Sequence, residues 1–347
     1  MASPESNHSG GNGAATRRSF LARTAAGLGI AGAGAWAYSD YTERGQRSDV
    51  FVGRADSYDA DLRRLVAQGL AELGLAGQVR GLRILLKPNL VEPHAGAGHI
   101  NTHPLLVRAA IEAFLSLDAA EVAVAEGQGH VRDSHLVLEQ SGFSEILVED
   151  RIRYIDLNDD EVEPAANAGG CTNLKTLLLP RSLGAFDWLV SMPKLKTHHW
   201  VGVTLSLKNL FGVMPGRYYG WPKNVFHQAG INNSILDIAA TVPAHLAIAD
   251  GIVGMEGDGP IMGTPCPAGV VVMGENPVAV DATACRVMGI EPRRVPYLKR
   301  ASGWLGPIRP SHIEQRGEDP AAVRTDFELL DYIDAQKGLR LGEISLL

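Results

Sequence analysis

Between Ser191 and Gly216 the chain carries Lys194, Lys196 and Lys208, the adjacent pair His198 and His199, and Asn209. Small and apolar residues separate them, so they do not read as a solvated charge run. Ammonium groups donate hydrogen bonds and accept none, so several together can hold carboxylate or phosphate oxygens. An imidazole can pass a proton near neutral pH. The stretch follows Trp188-Leu189-Val190, an apolar run that predicts a buried strand. Val203, Leu207 and Leu210 have helical spacing and predict a helix over 201–210, stopped by Gly212. Strand, polar loop and a helix bearing Lys208 would place these groups where open α/β sheets build sites, beyond the carboxyl ends of strands.

The same logic recurs along the chain. Lys87 closes the run ILLKPN, Glu126 closes VAVAEG, Lys194 closes LVSMPK and Asp250 closes LAIADG. Side chains just past neighbouring strand ends can converge on one crevice, and all four are expected to meet there. Glu126, Lys194, His198 and Asp250 are the catalytic candidates, with Glu126, His198 or Asp250 moving a proton. Lys87, Asn89, Lys196, Lys208 and Asn209 are the ligand-binding candidates. The segment 251–264, GIVGMEGDGPIMGT, has five glycines in fourteen residues and reads as a loop able to close over a ligand. Its Glu256 and Asp258 could hold a divalent metal through oxygen, although EF-hand spacing and the P-loop order are both lacking. His94, His99 and His103 could join His198 and His199 in a histidine-rich metal set, but no H-E-x-x-H spacing supports it. Asp281 lies in an apolar helical run and should be buried, fixing a site lysine or capping a neighbouring loop.

Positioning these groups requires alternating strands and helices. Strands are expected at 50–52, 82–86, 121–125, 152–157, 174–179, 244–249 and 270–273. Helices are expected at 59–75, from Pro104 to about Leu117 with Thr102 as its cap, 133–140, 231–240 and 277–288 with Asn276 as its cap, and a further one near 297–302. Residues 158–170 show no periodicity and read as an exposed insertion, where two lobes could divide near 158–173. The fold class is therefore α/β with a largely parallel or mixed sheet, either as a single domain over 38–347 or as two lobes.

The chain has 347 residues, 45% hydrophobic and 20% charged, with a formal net charge of −7. That is enough chain for a large core. No Lys/Arg-rich block appears and aromatic residues are 6%, which argues against nucleic acid as a partner. Cys171, Cys266 and Cys285 lack CxxC spacing, so no iron-sulfur or zinc motif is present. Residues 1–16 are rich in Gly, Ser, Asn and Ala. Arg17-Arg18, followed by Phe20-Leu21 and an apolar stretch to Ala37, resembles a twin-arginine export signal. It implies a cleaved leader over 1–37, passage through the twin-arginine translocase, a periplasmic or other extracytoplasmic location, and no stable membrane span after cleavage.

Four segments in order, LLKPNLV with downstream NTHP, PKLKTHHWVGVTLSLKNLFG, IADGIVGMEGDGP and NPVAVDATACRVMG, resemble the DUF362 family of bacterial and archaeal proteins over about residues 82–290. Some members carry ferredoxin-like cysteine motifs. This chain does not, so the resemblance implies no cluster here and leaves the reaction open. The leading expectation is an exported enzyme acting on a small anionic molecule, with or without a metal. The alternatives are a non-catalytic ligand- or metal-binding protein of the cell envelope, and a redox accessory of an iron-sulfur partner.

Overall fold

The computed structural model describes residues 46–130 and 133–342. The expected leader and its arginine pair lie outside them. The strands are β1 (Ser48–Arg54), β2 (Arg83–Pro88), β3 (Glu121–Glu126), β4 (Arg153–Asp156), β5 (Val162–Ala166), β6 (Thr176–Pro180), β7 (Trp188–Met192), β8 (Lys194–His198), β9 (Gly202–Thr204), β10 (Leu246–Glu256), β11 (Thr264–Cys266), β12 (Val270–Gly274) and β13 (Ile313–Gly317). The main sheet runs β13-β1-β12-β10-β7-β2-β3-β4, with β8 and β11 attached along the later part of β10 and β9 paired to β8. From β10 to β4 the neighbours are parallel, whereas β12 is antiparallel to both β10 and β1. The sheet is mixed, and the fold is α/β.

Alternation along the strands explains why both faces are covered. Leu85, Ala123, Ala125, Leu189 and Ala249 face one core, together with the helices Ile231–Thr241 and Pro277–Val287. Ile84, Leu86, Val122, Val124 and Val190 face the other, with the helices Leu62–Glu72 and Pro104–Ser116. A strand buried on both sides reads as a continuous apolar run, as these do. Asn276 caps its helix as expected, accepting from the N–H groups of Val278 and Ala279. The helix at Pro104 is capped by the Nδ1 of His103 instead of Thr102. Thr102 donates its hydroxyl to the Met192 carbonyl and accepts from the Asn89 N–H, tying β7 to the chain that follows β2.

Four local expectations are corrected. The polar loop after β7 is a strand: β7 breaks at Pro193 and continues as β8, parallel to the second half of β10. The helix expected over 201–210 is β9, hairpinned onto β8, then a short helix at Ser206–Asn209 and a 3-10 turn at Leu210–Val213. Val201, Val203 and Thr204 are β-branched, and sheet pairing outweighs their apparent helical spacing. Half of the glycine-rich segment is strand, because β10 runs on to Glu256 and the loop is confined to 257–263. At Gly254 a Cβ would stand 2.8 Å from the Phe327 ring, so the missing side chain lets another part of the chain pack onto the strand. Finally, residues 158–170 are not structureless, since β5 pairs with β6 as an antiparallel ribbon across that region. The residues from Gln46 onward belong to one compact unit.

Candidate functional site

Lys87 and Glu126 close the adjacent parallel strands β2 and β3, which sets their side chains together. The ammonium of Lys87 donates to Glu126 Oε2 at 2.6 Å, to the Pro88 carbonyl at 2.8 Å and to Asn209 Oδ1 at 3.1 Å. Its three protons are therefore spent. Glu126 also accepts from the N–H groups of Leu90 and Gly127. Both side chains are about 1% exposed. Gly212 permits this arrangement, for a Cβ there would lie 2.0 Å from Glu126 Oε1 and 2.5 Å from Lys87 Nζ. Asn209 ties the pair to the sheet, its amide donating to the Lys87 carbonyl and to Ser191 Oγ. The backbone before Asn209 is held by Asp281, whose carboxylate accepts from the N–H groups of Ser206 and Leu207. Of the two roles expected for Asp281, this is the capping one.

Lys194 and Asp250 form a second buried pair at 2.6 Å, facing other partners. Tyr58 donates to Asp250 Oδ1 and accepts from Lys194, while the N–H of His103 donates to Asp250 Oδ2. Burial, with the Asp250 charge beside it, pushes the Tyr58 phenol far up. The Tyr58 ring stacks on His103 at 3.6 Å, and burial with Lys194 nearby lowers that imidazole to about 4. The four strand-end groups thus fall into two pairs instead of one crevice. Lys87 and Glu126 line a cavity of about 490 Å³, and Lys194 and Asp250 do not.

That cavity gathers Lys196, Lys208 and Lys223. Lys194, Lys196 and His198 alternate along β8, so each is two residues from the next and on the same face. Lys196 is fully buried and, among the described residues, donates only to the carbonyls of Ile100 and Pro260. Burial, followed by the charges of Lys194 and Lys208, drives its pKa well down. Lys208 makes no hydrogen bond among the described residues, and its ammonium lies 4.3 Å from the Phe211 ring centroid. Burial and Lys87 lower it to about 8. Lys223 donates to Asn158 Oδ1 and to the Met214 carbonyl, and burial lowers it to about 7. Its backbone has a φ of 67°, uncommon for a residue with a Cβ and of a kind that collects at functional sites.

The cavity is short of negative charge. Glu126 is already bonded to Lys87, while Glu92 and Asp258 stand 3.9 Å from His130 and 3.5 Å from His199. Asn89 Oδ1 and Thr204 Oγ1, both belonging to lining residues, are buried without a hydrogen-bond partner among the described residues. Two imidazoles add a fixed polarity. His198 Nδ1 accepts from the Trp200 N–H at 3.0 Å, so its neutral ring carries the proton on Nε2. His227 Nδ1 lies 3.1 Å from the Lys223 carbonyl, which can only accept, so its neutral ring keeps a lone pair on Nε2. Burial lowers the pKa of both rings, that of His198 strongly.

Residues 84–286 match the model of a family described as a domain of unknown function, DUF362. The chain belongs to the DUF362 family. Every lysine and histidine in the preceding two paragraphs falls within that match, and so do Glu126 and Asp281. The DUF362 chain is 27% identical over 291 residues to the thylakoid-associated protein sll1697 of Synechocystis sp., covering 80% of this chain and 82% of that one. Two solved structures are more distant. The lactate racemase apoprotein from Thermoanaerobacterium thermosaccharolyticum has 13% identity and a TM-score of 0.38, over 60% of this chain and 51% of the other. A Thermotoga maritima protein has 11% identity and a TM-score of 0.37, over 68% of this chain and 60% of its own. The DUF362 chain thus spans about half to three fifths of those two.

The expected metal ligands do not converge in this DUF362 domain. Asp258 reaches the cavity, but Glu256 accepts from the Glu328 N–H instead. Among the described residues no three His, Cys, Asp or Glu side chains gather as a metal set. The histidine-rich set is divided: His94, His99 and His103 line a different cavity, with Tyr58. Lys223 and His227 were not among the sequence candidates. Lys223 precedes the helical turn Asn224–Gln228 with a left-handed backbone and His227 lies inside it, so no helical periodicity marks the pair in the sequence. No helix among the described residues is long and apolar enough to cross a membrane.

Proposed function

We propose that the DUF362 cavity binds a small oxyanion, a carboxylate or phosphate, and works on it by proton transfer. The observation that carries this is the set of three lysines around one cavity whose buried carboxylate is already satisfied. A bound anion would offset their mutual repulsion and supply the acceptors that Lys208 lacks. Lys196, Lys208 and Lys223 hold the anion, and the Thr204 hydroxyl donates to it, while Asn89 can join only through its amide N–H groups, its Oδ1 being an acceptor. His227 takes the proton on its free Nε2, and neutral His198 points its Nε2–H at the ligand as a hydrogen-bond donor, as their tautomers require. Lys87 with Glu126, and Lys194 with Asp250, serve as rigid supports.

Thermal melts of the wild type against panels of carboxylates and phosphates test this reading. A ligand at a hundred times its Kd stabilises by about 2.7 kcal/mol, and the gain should vanish in Lys196→Met and Lys208→Met. If no anion raises Tm, the reading fails. We also propose export by the twin-arginine route, on the strength of Arg17-Arg18, Phe20-Leu21 and the apolar stretch to Ala37. Changing both arginines to lysine should trap the protein inside the cell, and unchanged export of that variant would refute the proposal.

A further inference from the structure

The cavity has two chemically distinct parts. Its polar part is the lysine cluster. Its other walls are apolar: Leu90, Phe211, Pro222, Trp200, Ile261 and Met262 all line it. Two of these are large side chains left open to water, Trp200 at 54% and Met262 at 77% exposed. A single exposed apolar residue needs no explanation, but two beside one cavity form a surface that gains by being covered.

Both are held in place. Trp200 packs edge-on against His227 at 5.0 Å and against His199 at 4.9 Å. Its backbone N–H is fixed by His198 Nδ1. Met262 sits in the loop 257–263, which is pinned at several points. The His199 N–H donates to the Gly259 carbonyl, Thr197 Oγ1 and the Gln336 amide donate to the Gly257 carbonyl, and Lys196 donates to the Pro260 carbonyl. The same lysine that lines the polar part therefore anchors the loop carrying the apolar wall. A volume of about 490 Å³ is also more than a bare phosphate or acetate would fill and lies in the range of organic ligands.

We infer that the ligand is an amphipathic anion: an oxyanion joined to an aromatic ring or short alkyl chain, with its charge at the lysines and its apolar body against Trp200 and Met262. This rests on the anion-site reading above and adds the class of molecule.

Calorimetric titration with matched pairs tests it: phenyl phosphate against inorganic phosphate, and benzoate against acetate. The use of both pairs separates phosphate from carboxylate preference. In wild-type protein the member bearing the ring should bind at least tenfold tighter within a pair. In Trp200→Ala and Met262→Ala that gap should narrow to threefold or less, while affinity for the bare anion stays unchanged. Two results overturn the inference. One is equal binding within both pairs, which leaves the anion site standing. The other is a gap that survives both substitutions. If none of the four molecules binds, the anion site fails together with the inference.

Discussion

Five lysines, Lys87, Lys194, Lys196, Lys208 and Lys223, differ in what they touch, and their partners divide them by role. Lys87 and Lys194 each face one buried carboxylate at 2.6 Å. Removing one member of such a pair leaves a buried charge uncompensated, which typically costs about 3–5 kcal/mol. Lys208 has no such partner, and Met would keep most of its stem. Lys87→Met should therefore lose about 3–5 kcal/mol in chemical denaturation. Lys208→Met should stay within about 1 kcal/mol of wild type, or above it. Equal losses in both variants would contradict the division into supports and ligand contacts. Lys194→Met should behave like Lys87→Met, because Asp250 and Tyr58 would lose their shared donor.

At the scale of elements, the support depends on how closely the 3-10 turn Leu210–Val213 approaches the ends of β2 and β3. Gly212→Ala would place a methyl group 2.0 Å from Glu126 Oε1. Overpacking alone costs about 1–3 kcal/mol, and opening the ion pair adds to it. The variant should melt well below the wild type and fail to respond to anions, whereas an unchanged Tm would show that the turn has room to move. The repeated apolar strand closed by a charged residue was legible in the sequence, but only as one crevice of four residues; the pairing of Lys87 with Glu126 depends on β2 and β3 being neighbours. The separation of Lys194 and Asp250 from that pair was not legible. It follows from the break at Pro193, which shifts β8 to the later half of β10, a matter of register that periodicity does not encode. Reading 194–198 as loop also hid the alternation that aligns Lys196 with His198. Gly212 was expected to stop a helix, but its local signal could not reveal the approach to Glu126. Lys223 and His227 escaped notice because a turn rich in Gly, Pro and aromatic residues gives no sign of which wall it forms.

For the whole molecule, a chain of net charge −7 encloses a cavity with an excess of ammonium groups, so its charge is strongly uneven. This couples stability to pH. Lys223 and Lys208 have folded pKa values lowered to about 7 and about 8, so between those values and the ordinary lysine range the unfolded chain binds more protons. Their contribution to stability therefore rises with pH from 7 towards 10. Asp281 behaves in the opposite sense below neutrality, since burial raises it to about 7. Its contribution is fully present below about pH 4 and is lost as pH rises through 7. For these groups the empty protein is least favoured near neutral pH. Its Tm should rise from pH 7 to pH 9, and by less in Lys208→Met. The central claim, that protonated lysines bind an anion in this cavity, is tested most directly by titrating benzoate and acetate calorimetrically at pH 8 in buffers of different ionisation enthalpy. Both anions stay ionised there, so any proton taken up on binding must go to the protein. The account predicts proton uptake in wild-type protein, binding that weakens from pH 7 to pH 9, and no measurable binding in Lys208→Met. Absence of binding at pH 7 by benzoate, acetate, phenyl phosphate and inorganic phosphate alike, or binding at pH 8 without proton uptake, would contradict it.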